Sequence, residues 1–140
     1  MDDHGQNSRH REEWQLELLK LLHGRYNFLN ETLRLTGEIA DNLNRNDKVS
    51  VQMLLEMRAK ELEHIDENMR KFRIFKEQFS EEVQQEMENL LKVKDASSEG
   101  VHAAAIAETV KNCQKVLEQI IEIDKRMSKR VAGSDSFYEK

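Results

Sequence analysis

Residues 50–79 repeat apolar side chains at a spacing that places them on one face of a helix. The repeated positions are Val51, Leu55, Arg58, Leu62, Ile65, Met69, Phe72 and Phe79. At about 100° per residue these positions form one narrow stripe, and almost every other side chain in the segment is charged or an amide. Such a stripe needs a partner surface, because an isolated helix leaves it in water. We therefore expect the rest of the chain to pack around this helix.

Two further segments carry matching stripes and are the expected partners. The first has Leu18, Leu22, Leu29, Leu33, Thr36, Ala40 and Leu43, and the last has Ile106, Val110, Cys113, Leu117, Ile120, Asp124, Met127 and Val131. Residues 41–48 and 95–100 separate the three stripes and are rich in Asn, Asp, Ser and Gly, which favour turns and helix caps. The sequence thus predicts an all-α fold, an antiparallel and coiled-coil-like bundle of three long helices.

Ser80 leaves the helix count open. Ser80 followed by Glu81 and Glu82 is typical of a helix start. The apolar residues Val83, Met87 and Leu90, however, continue the preceding stripe in phase. We favour one continuous helix to about residue 94, bent at most near Ser80. A separate short helix from Ser80 is the alternative, and it would make four helices.

The helical pattern also predicts the domain limits. We expect a flexible amino-terminal tail over residues 1–10, one helical bundle domain over residues 11–131 and a flexible tail over residues 132–140. Gly133 follows the last stripe, and glycine is common just past a helix end. The final segment is polar except for Phe137 and Tyr138, so it cannot bury enough apolar surface to fold alone.

Composition narrows the classes of function. The 140 residues include no proline and are 35% charged, which is typical of long helices. The net charge of -5 argues against a general nucleic-acid binder, since phosphates require a surplus of Lys and Arg. The lone Cys113 suits a reducing cytoplasm. No signal peptide is evident, and the longest uncharged apolar patch is too short for membrane insertion, so we expect a cytoplasmic protein.

Few residues suggest chemistry. Glu61 with His64 and Glu99 with His102 form two Glu-x-x-His pairs, a spacing found in di-iron helical bundles. His64 falls on the solvent side of its helix, Glu99 falls in a predicted loop, and the first stripe contains no glutamate. Cys113 lies in a stripe, where cysteine usually serves as a small buried hydrophobe. We predict no metal, no cofactor and no enzymatic activity, with a di-iron protein as a distant alternative.

Three charged residues occupy stripe positions, namely Arg25, Arg58 and Asp124. A buried ion is costly to desolvate unless it is paired. Asp124 could pair with an arginine across the bundle and fix the helix register. Alternatively, each side chain extends to solvent at the edge of a thin bundle. Both interpretations remain open at this point.

Extra apolar side chains widen one flank of the second helical segment. Met53, Met57 and Phe75 lie outside its main stripe, and adaptable methionine-rich surfaces suit varied apolar partners. We predict a binding surface formed by Met53, Met57, Phe75 and Phe79. The alternative is that another helix of the same chain covers the flank.

Two segments carry a resemblance to a known family: Leu54-Leu55-Glu56-x-Arg58-x-x-x-Leu62-x-x-Ile65 and Leu117-Glu118-Gln119-Ile120-Ile121-Glu122-Ile123-Asp124. They resemble segments of the flagellar type III export chaperones of the FlgN and FliT type. These chaperones are small cytosolic all-helical proteins without catalytic activity. They hold the amphipathic carboxyl-terminal segment of a hook-associated or filament-cap protein and deliver it to the membrane export gate.

The resemblance implies a role for each predicted surface. Met53, Met57, Phe75 and Phe79 would bind the amphipathic helix of the export substrate. The pair Phe137 and Tyr138 would dock on a component of the export gate. The alternative from another class is a structural coiled-coil homodimer or an adaptor without a client.

Overall fold

A computed structural model describes residues 3–92 and 100–138, with side chains described from residue 10 to residue 131 within those ranges. It contains the helices α1 (Asp3–Asn44), α2 (Lys48–Glu77), α3 (Glu81–Leu90) and α4 (Ala103–Tyr138). The described residues contain no strand. The all-α fold predicted from the stripes is confirmed.

The turn between α1 and α2 forms where the cluster of Asn and Asp residues predicts it. Asn46 adopts a positive φ of 59°, a conformation that asparagine tolerates better than most residues. The Asp47 carboxylate then caps α2 by accepting a hydrogen bond from the Ser50 amide at 3.0 Å. This tight connection returns the chain alongside α1, so α1 and α2 are antiparallel neighbours.

Our preference for a continuous helix through Ser80 is wrong. Ser80 has extended backbone angles, φ -63° and ψ 161°, and its Oγ accepts a hydrogen bond from the Val83 amide at 3.3 Å. The Gln84 side chain donates a hydrogen bond to the Phe79 carbonyl at 2.8 Å, which satisfies the end of the preceding segment. A separate α3 therefore follows α2, in agreement with the alternative.

The central helix is α1, and the expectation that residues 50–79 organise the chain is wrong. α1 runs closely beside both α2 and α4. In the described residues, no Cα atom of α2 lies within 8 Å of a Cα atom of α4, and the same holds for α1 and α3. α1 also contributes most of the fully buried side chains, including Leu18, Leu22, Leu35 and Ile39.

Polar contacts fix the directions of the long helices. The Asn68 amide donates to the Leu21 carbonyl at 2.9 Å, and Arg58 donates to the Thr36 hydroxyl at 3.1 Å, so α2 runs antiparallel to α1. The His102 amide donates to the Gln15 side chain at 3.3 Å at the start of α4. α4 then ascends parallel to α1, which gives an up-down-up order for the three long helices.

The core divides into three groups along α1. The first group lies where α3 joins the bundle and contains Trp14, Leu18, Leu19, Leu22, Met87, Leu90, Ala103 and Ile106. The middle group contains Leu29, Cys113, Val116 and Ile120. The last group, near the turn from α1 to α2, contains Leu35, Ile39 and Leu54. α3 contributes buried residues only to the first group.

Both terminal helices are longer than the sequence pattern predicts. α1 begins at Asp3 and α4 continues to Tyr138, so the backbone is helical over much of the predicted tails. The backbone of Phe137 and Tyr138 belongs to α4, and their side chains lie outside the described part. The second predicted break is residues 95–100, and all of it except Gly100 also lies outside the described residues.

Candidate helix-binding groove

Four helices meet at the α3 end of the molecule, where α3 approaches both α2 and α4. Packed helix axes lie about 8–10 Å apart, so neighbours bring Cα atoms close together and diagonal pairs do not. The pairs α1–α3 and α2–α4 lack such close approach in the described residues, which makes them the two diagonals. α3 has 10 residues and α1 has 42. Beyond α3, the fourth corner is occupied by no helix of the described residues, and we call this region the open corner.

One face of α4 shows where α3 ends. Ala103, Val110 and Leu117 follow one another at heptad spacing and therefore share a face. Ala103 lies in the core group with the α3 residues Met87 and Leu90 and is only 6% exposed. Val110 is partly buried, and Leu117 is 45% exposed. This face of α4 therefore stays apolar along its length, but α3 covers only its first part.

The facing row on α2 changes in the same way. Lys76, at the foot of the row, pairs with the α3 residue Glu88 through Nζ and Oε1, 3.1 Å apart. Met69, Leu62 and Leu55 continue the row at heptad spacing, and all three are exposed, Leu62 by 44%. We define the open-corner residues as five exposed apolar side chains: Leu55, Leu62 and Met69 of the α2 row, Leu117 of the α4 row, and Ile121, which lies about one turn after Leu117.

An ion pair locates both rows on the same side of the bundle. Arg58 Nη1 donates to Asp124 Oδ1 at 2.8 Å across the gap between α2 and α4. Leu55 and Leu62 lie three residues before and four residues after Arg58, which places them on its face of α2. Ile121 lies three residues before Asp124 on α4. The two rows therefore border the same gap, on the side away from α1.

The Arg58 guanidinium joins all three long helices, since Nη1 also donates to the α1 residue Thr36 at 3.1 Å. Of the two interpretations of the stripe charges, pairing across the bundle is confirmed for Arg58 and Asp124. The side chains retain 20% and 40% exposure, so the pair is only partly dehydrated. The ion pair bridges the gap between α2 and α4 on the side nearer to α1, and it leaves the open corner uncovered.

Arg25 lies in the same gap, nearer to α3. Its Nε donates to Asn68 Oδ1 at 3.0 Å, and its guanidinium carbon lies 5.7 Å from the centroid of the Phe72 ring. Burial lowers the pKa of the Arg25 guanidinium from its ordinary value, and the nearby Cys113 partly offsets that shift. Burial likewise raises the pKa of the Cys113 thiol, with Arg25 as the opposing influence. Arg25 thus reaches from α1 to a position between α2 and α4.

The structure does not bring the four predicted binding residues together. Met53 and Met57 are exposed, Met53 by 55%. The rings of Phe75 and Phe79 meet edge to face with centroids 5.1 Å apart and pack against the first core group. Met53 and Phe75 are separated by 22 residues, roughly 33 Å along the helix. For Phe75, the structure agrees with the alternative interpretation, in which other helices of the same chain cover the side chain.

Sequence reasoning missed the open-corner residues as a surface. Leu55, Leu62, Met69 and Leu117 all belong to predicted stripes and were therefore expected to be buried. Their periodicity correctly indicates the face on which they lie. A stripe cannot indicate, however, that α3 is short and ends before it covers these residues.

The Glu-x-x-His spacing does not lead to a metal centre within the described residues. Glu61 Oε1 and His64 Nδ1 are 3.7 Å apart, and the His64 ring lies 5.1 Å from the Phe28 ring. The described part of the chain contains no group of three or more His, Cys, Asp or Glu side chains placed to hold a metal. Glu99 lies outside it. Among the described helices, none has the length and apolar character needed to cross a membrane.

Comparison with protein-family models, with curated proteins and with solved structures found no match for the chain.

Proposed function

We propose that the protein binds an amphipathic helix of another protein in the open corner. The observation that carries this proposal is the exposed apolar row on each of two facing helices, where the fourth corner of the bundle has no helix among the described residues. A bound helix would continue the four-helix arrangement that α3 begins. The chain would then act as a binding protein without catalysis.

The physical driving force is the apolar surface of the open corner. Burial of apolar surface contributes roughly 25 cal/mol per Å². Single exposed apolar residues are normal on any protein, but contiguous apolar rows on two helices that flank one gap are typical of interaction sites. Helix-in-groove recognition uses this geometry, with anchor side chains at spacings of three and four residues. Leu62 and Leu117 are the central residues of the two rows.

The family resemblance suggests the partner. On that basis we propose a cytoplasmic export chaperone whose client is the amphipathic carboxyl-terminal helix of a hook-associated or filament-cap protein. Covering the client's apolar stripe would prevent its early assembly. Phe137 and Tyr138, on the last turn of α4, are the proposed contact with the export gate. Met53 and Met57 remain exposed and could extend the client surface along α2.

The test uses charge substitutions in the open corner and a matched control. Leu62→Glu and Leu117→Glu should each weaken binding of client carboxyl-terminal peptides at least about tenfold, since a charge would be placed in an apolar contact. Ile74→Glu is the control, because Ile74 has 45% exposure on another face of α2. Fluorescence anisotropy measures affinity, and thermal melts should show all three variants folded. Equal affinity of Leu62→Glu and Ile74→Glu would contradict the proposal.

A homodimer through the same apolar rows is the second candidate function, because two copies could also cover each other's open corner. Sedimentation of the wild-type chain distinguishes the two. A monomer that binds the peptide supports the chaperone proposal. A dimer that Leu62→Glu converts to a monomer, with no peptide affinity, supports the structural homodimer instead.

A further inference from the structure

We infer that the helix bound in the open corner carries an acidic side chain within its apolar face, and that this carboxylate pairs with Arg25. The inference rests on the proposed function and adds the chemistry by which the partner is selected. An amphipathic helix with only apolar side chains on its buried face would then be a poorer ligand than one with a single Glu or Asp at the matching position.

Arg25 occupies a core position of α1. It follows Leu18 and Leu22 at the alternating spacing of three and four that defines the α1 stripe, and Leu29 comes next. Its neighbours belong to the two helices that flank the open corner, Phe72 on α2 and Cys113 on α4. An arginine at this place directs its charge across the bundle, away from α1 and towards the corner diagonal to it.

Comparison with Arg58 shows what Arg25 lacks. Both are stripe arginines that reach into the gap between α2 and α4. Arg58 has a carboxylate partner in Asp124. Arg25 has a neutral amide at its Nε and an aromatic ring beside its guanidinium, and no described residue supplies it with an ion-pair partner. The Asn68 side chain, in turn, donates a hydrogen bond to the Leu21 carbonyl, so the polar group beside Arg25 is held in a fixed orientation.

A helix in the open corner changes the hydration of this charge. The side chain of Arg25 is partly buried already, and the open corner is the side of the gap that no described helix covers. Covering that side with an apolar helix would remove water from an unpaired cation, which opposes binding. A carboxylate on the incoming helix offsets this cost, since the two Nη groups of a guanidinium match two carboxylate oxygens. Charge complementarity therefore favours a partner with one acidic residue in its stripe.

The experiment uses synthetic amphipathic helical peptides with Leu at every stripe position as the parent. Each derived peptide carries one Glu at a different stripe position, and each has a Gln counterpart of the same shape. Affinities are measured for the wild-type chain, for Arg25→Met and for the control Arg70→Met, whose side chain pairs with Glu67 on the exposed surface of α2. Because Glu is placed at every stripe position in turn, one peptide presents it opposite Arg25 whatever the register of the bound helix.

We expect one Glu peptide to bind the wild-type chain and Arg70→Met about tenfold more tightly than its Gln counterpart. This advantage should disappear in Arg25→Met. If Arg25→Met does not fold, Arg25→Gln gives the same comparison while keeping a polar group beside Asn68. Equal affinity for every Glu and Gln pair, or an advantage that persists without Arg25, would overturn the inference.

The outcomes also separate this inference from the proposed function. If the parent peptide and all its derivatives fail to bind, the helix-binding proposal itself is wrong. If the peptides bind and Leu62→Glu weakens them but no Glu is preferred, only the pairing with Arg25 is wrong. If the wild-type chain forms a dimer that no peptide dissociates, a second copy is the occupant and the inference is overturned.

Discussion

Arg58 and Asp124 form an ion pair of 2.8 Å between two helices whose described Cα atoms nowhere approach within 8 Å. The pair is therefore a direct link between α2 and α4 over the part of the bundle that α3 does not reach. Ile65 adds an apolar contact from α2 to the middle core group. The spacing of the two helices that border the open corner is thus set by their packing on α1 and by these direct side-chain links.

Removing Asp124 should loosen that spacing. Asp124→Ala is expected to lower the free energy of unfolding by about 1–2 kcal/mol, because a partly buried guanidinium loses its charged acceptor. Arg58→Ala should cost a similar amount, and the double variant should cost less than the sum of the two. Urea denaturation followed by circular dichroism measures all three. Strict additivity would show that the two residues are not coupled.

Truncation to alanine should destabilise the protein strongly at Leu22 in the core and weakly at Leu62 in the open corner. Leu22→Ala is expected to lower the free energy of unfolding by about 2–5 kcal/mol, since Leu22 is fully enclosed in the first core group. Leu62→Ala should cost less than about 1 kcal/mol, because its side chain is exposed already. Denaturant melts of both variants provide the measurement. A loss for Leu62→Ala as large as that for Leu22→Ala would place Leu62 in a packed core.

The predicted surface on α2 should divide into two parts with different behaviour. Phe75→Ala is expected to destabilise the fold by about 1–3 kcal/mol, because its ring packs against Phe79 and the first core group. Met53→Ala should change stability by less than about 0.5 kcal/mol. Melting temperatures of the two variants test the division. An unchanged Phe75→Ala would mean that the ring makes no stabilising contact.

Gly100 should not accept a side chain. Its φ is 120°, and an added Cβ would overlap the side chain of Gln15, which is fully buried. Gly100→Ala is therefore expected to cost about 2–3 kcal/mol.

Gly37 is the matched control for this substitution. An added Cβ at Gly37 meets no atom within 4 Å, and the residue lies inside α1. Gly37→Ala should stabilise the protein by up to about 1 kcal/mol, because alanine favours helix more than glycine does. Thermal melts of both variants should shift in opposite directions, and a shared direction would contradict the backbone argument.

Acid should remove the contribution of the Asp47 cap. Hydrogen bonds from the Ser50 amide and hydroxyl hold the pKa of the Asp47 carboxyl below its ordinary value. A depressed folded pKa means that the stabilisation is present above the unfolded pKa of about 3.9 and is lost as pH falls through the lower folded value. Asp47→Asn should therefore melt below wild type at pH 7, and the two should converge by about pH 2. A constant difference across this range would contradict the linkage.

The sequence predicts helices well because their faces repeat locally. The turn at Asp47 and the sharing of one face by Leu55 and Leu62 both follow from patterns within a few residues. Whether a face is covered depends on distant segments, so Leu62 and Leu22 look alike in sequence and differ in burial. The same limit explains Ser80. Val83 and Met87 keep the phase of α2 because α3 faces the same core, even though the helix breaks.

The central position of α1 was hidden by its polar core residues. Thr32 and Thr36 are buried, which lowers the apparent hydrophobicity of the stripe. Their hydroxyls donate to the carbonyls of Phe28 and Thr32 at 2.8 and 2.7 Å, so burial leaves them satisfied. The predicted stripe of residues 50–79 contains seven apolar residues and that of the first segment contains six, so a count along the stripes favours α2 instead. The hydrogen bonding of threonine within its own helix explains why α1 tolerates the more buried place.

The short length of α3 gives the open corner a fixed end. From Leu55 to Met69 the exposed row covers 14 steps along the chain, or roughly 21 Å of helix. A bound helix that slid along this row towards Lys76 would meet the last turn of α3, where Glu88 pairs with Lys76. If the proposed partner helix binds there, the serine cap at Ser80 and the ten residues after it would set the depth to which that helix enters. Lengthening or shortening α3 by one turn would move this limit by about 5.4 Å and reset the register of any bound helix.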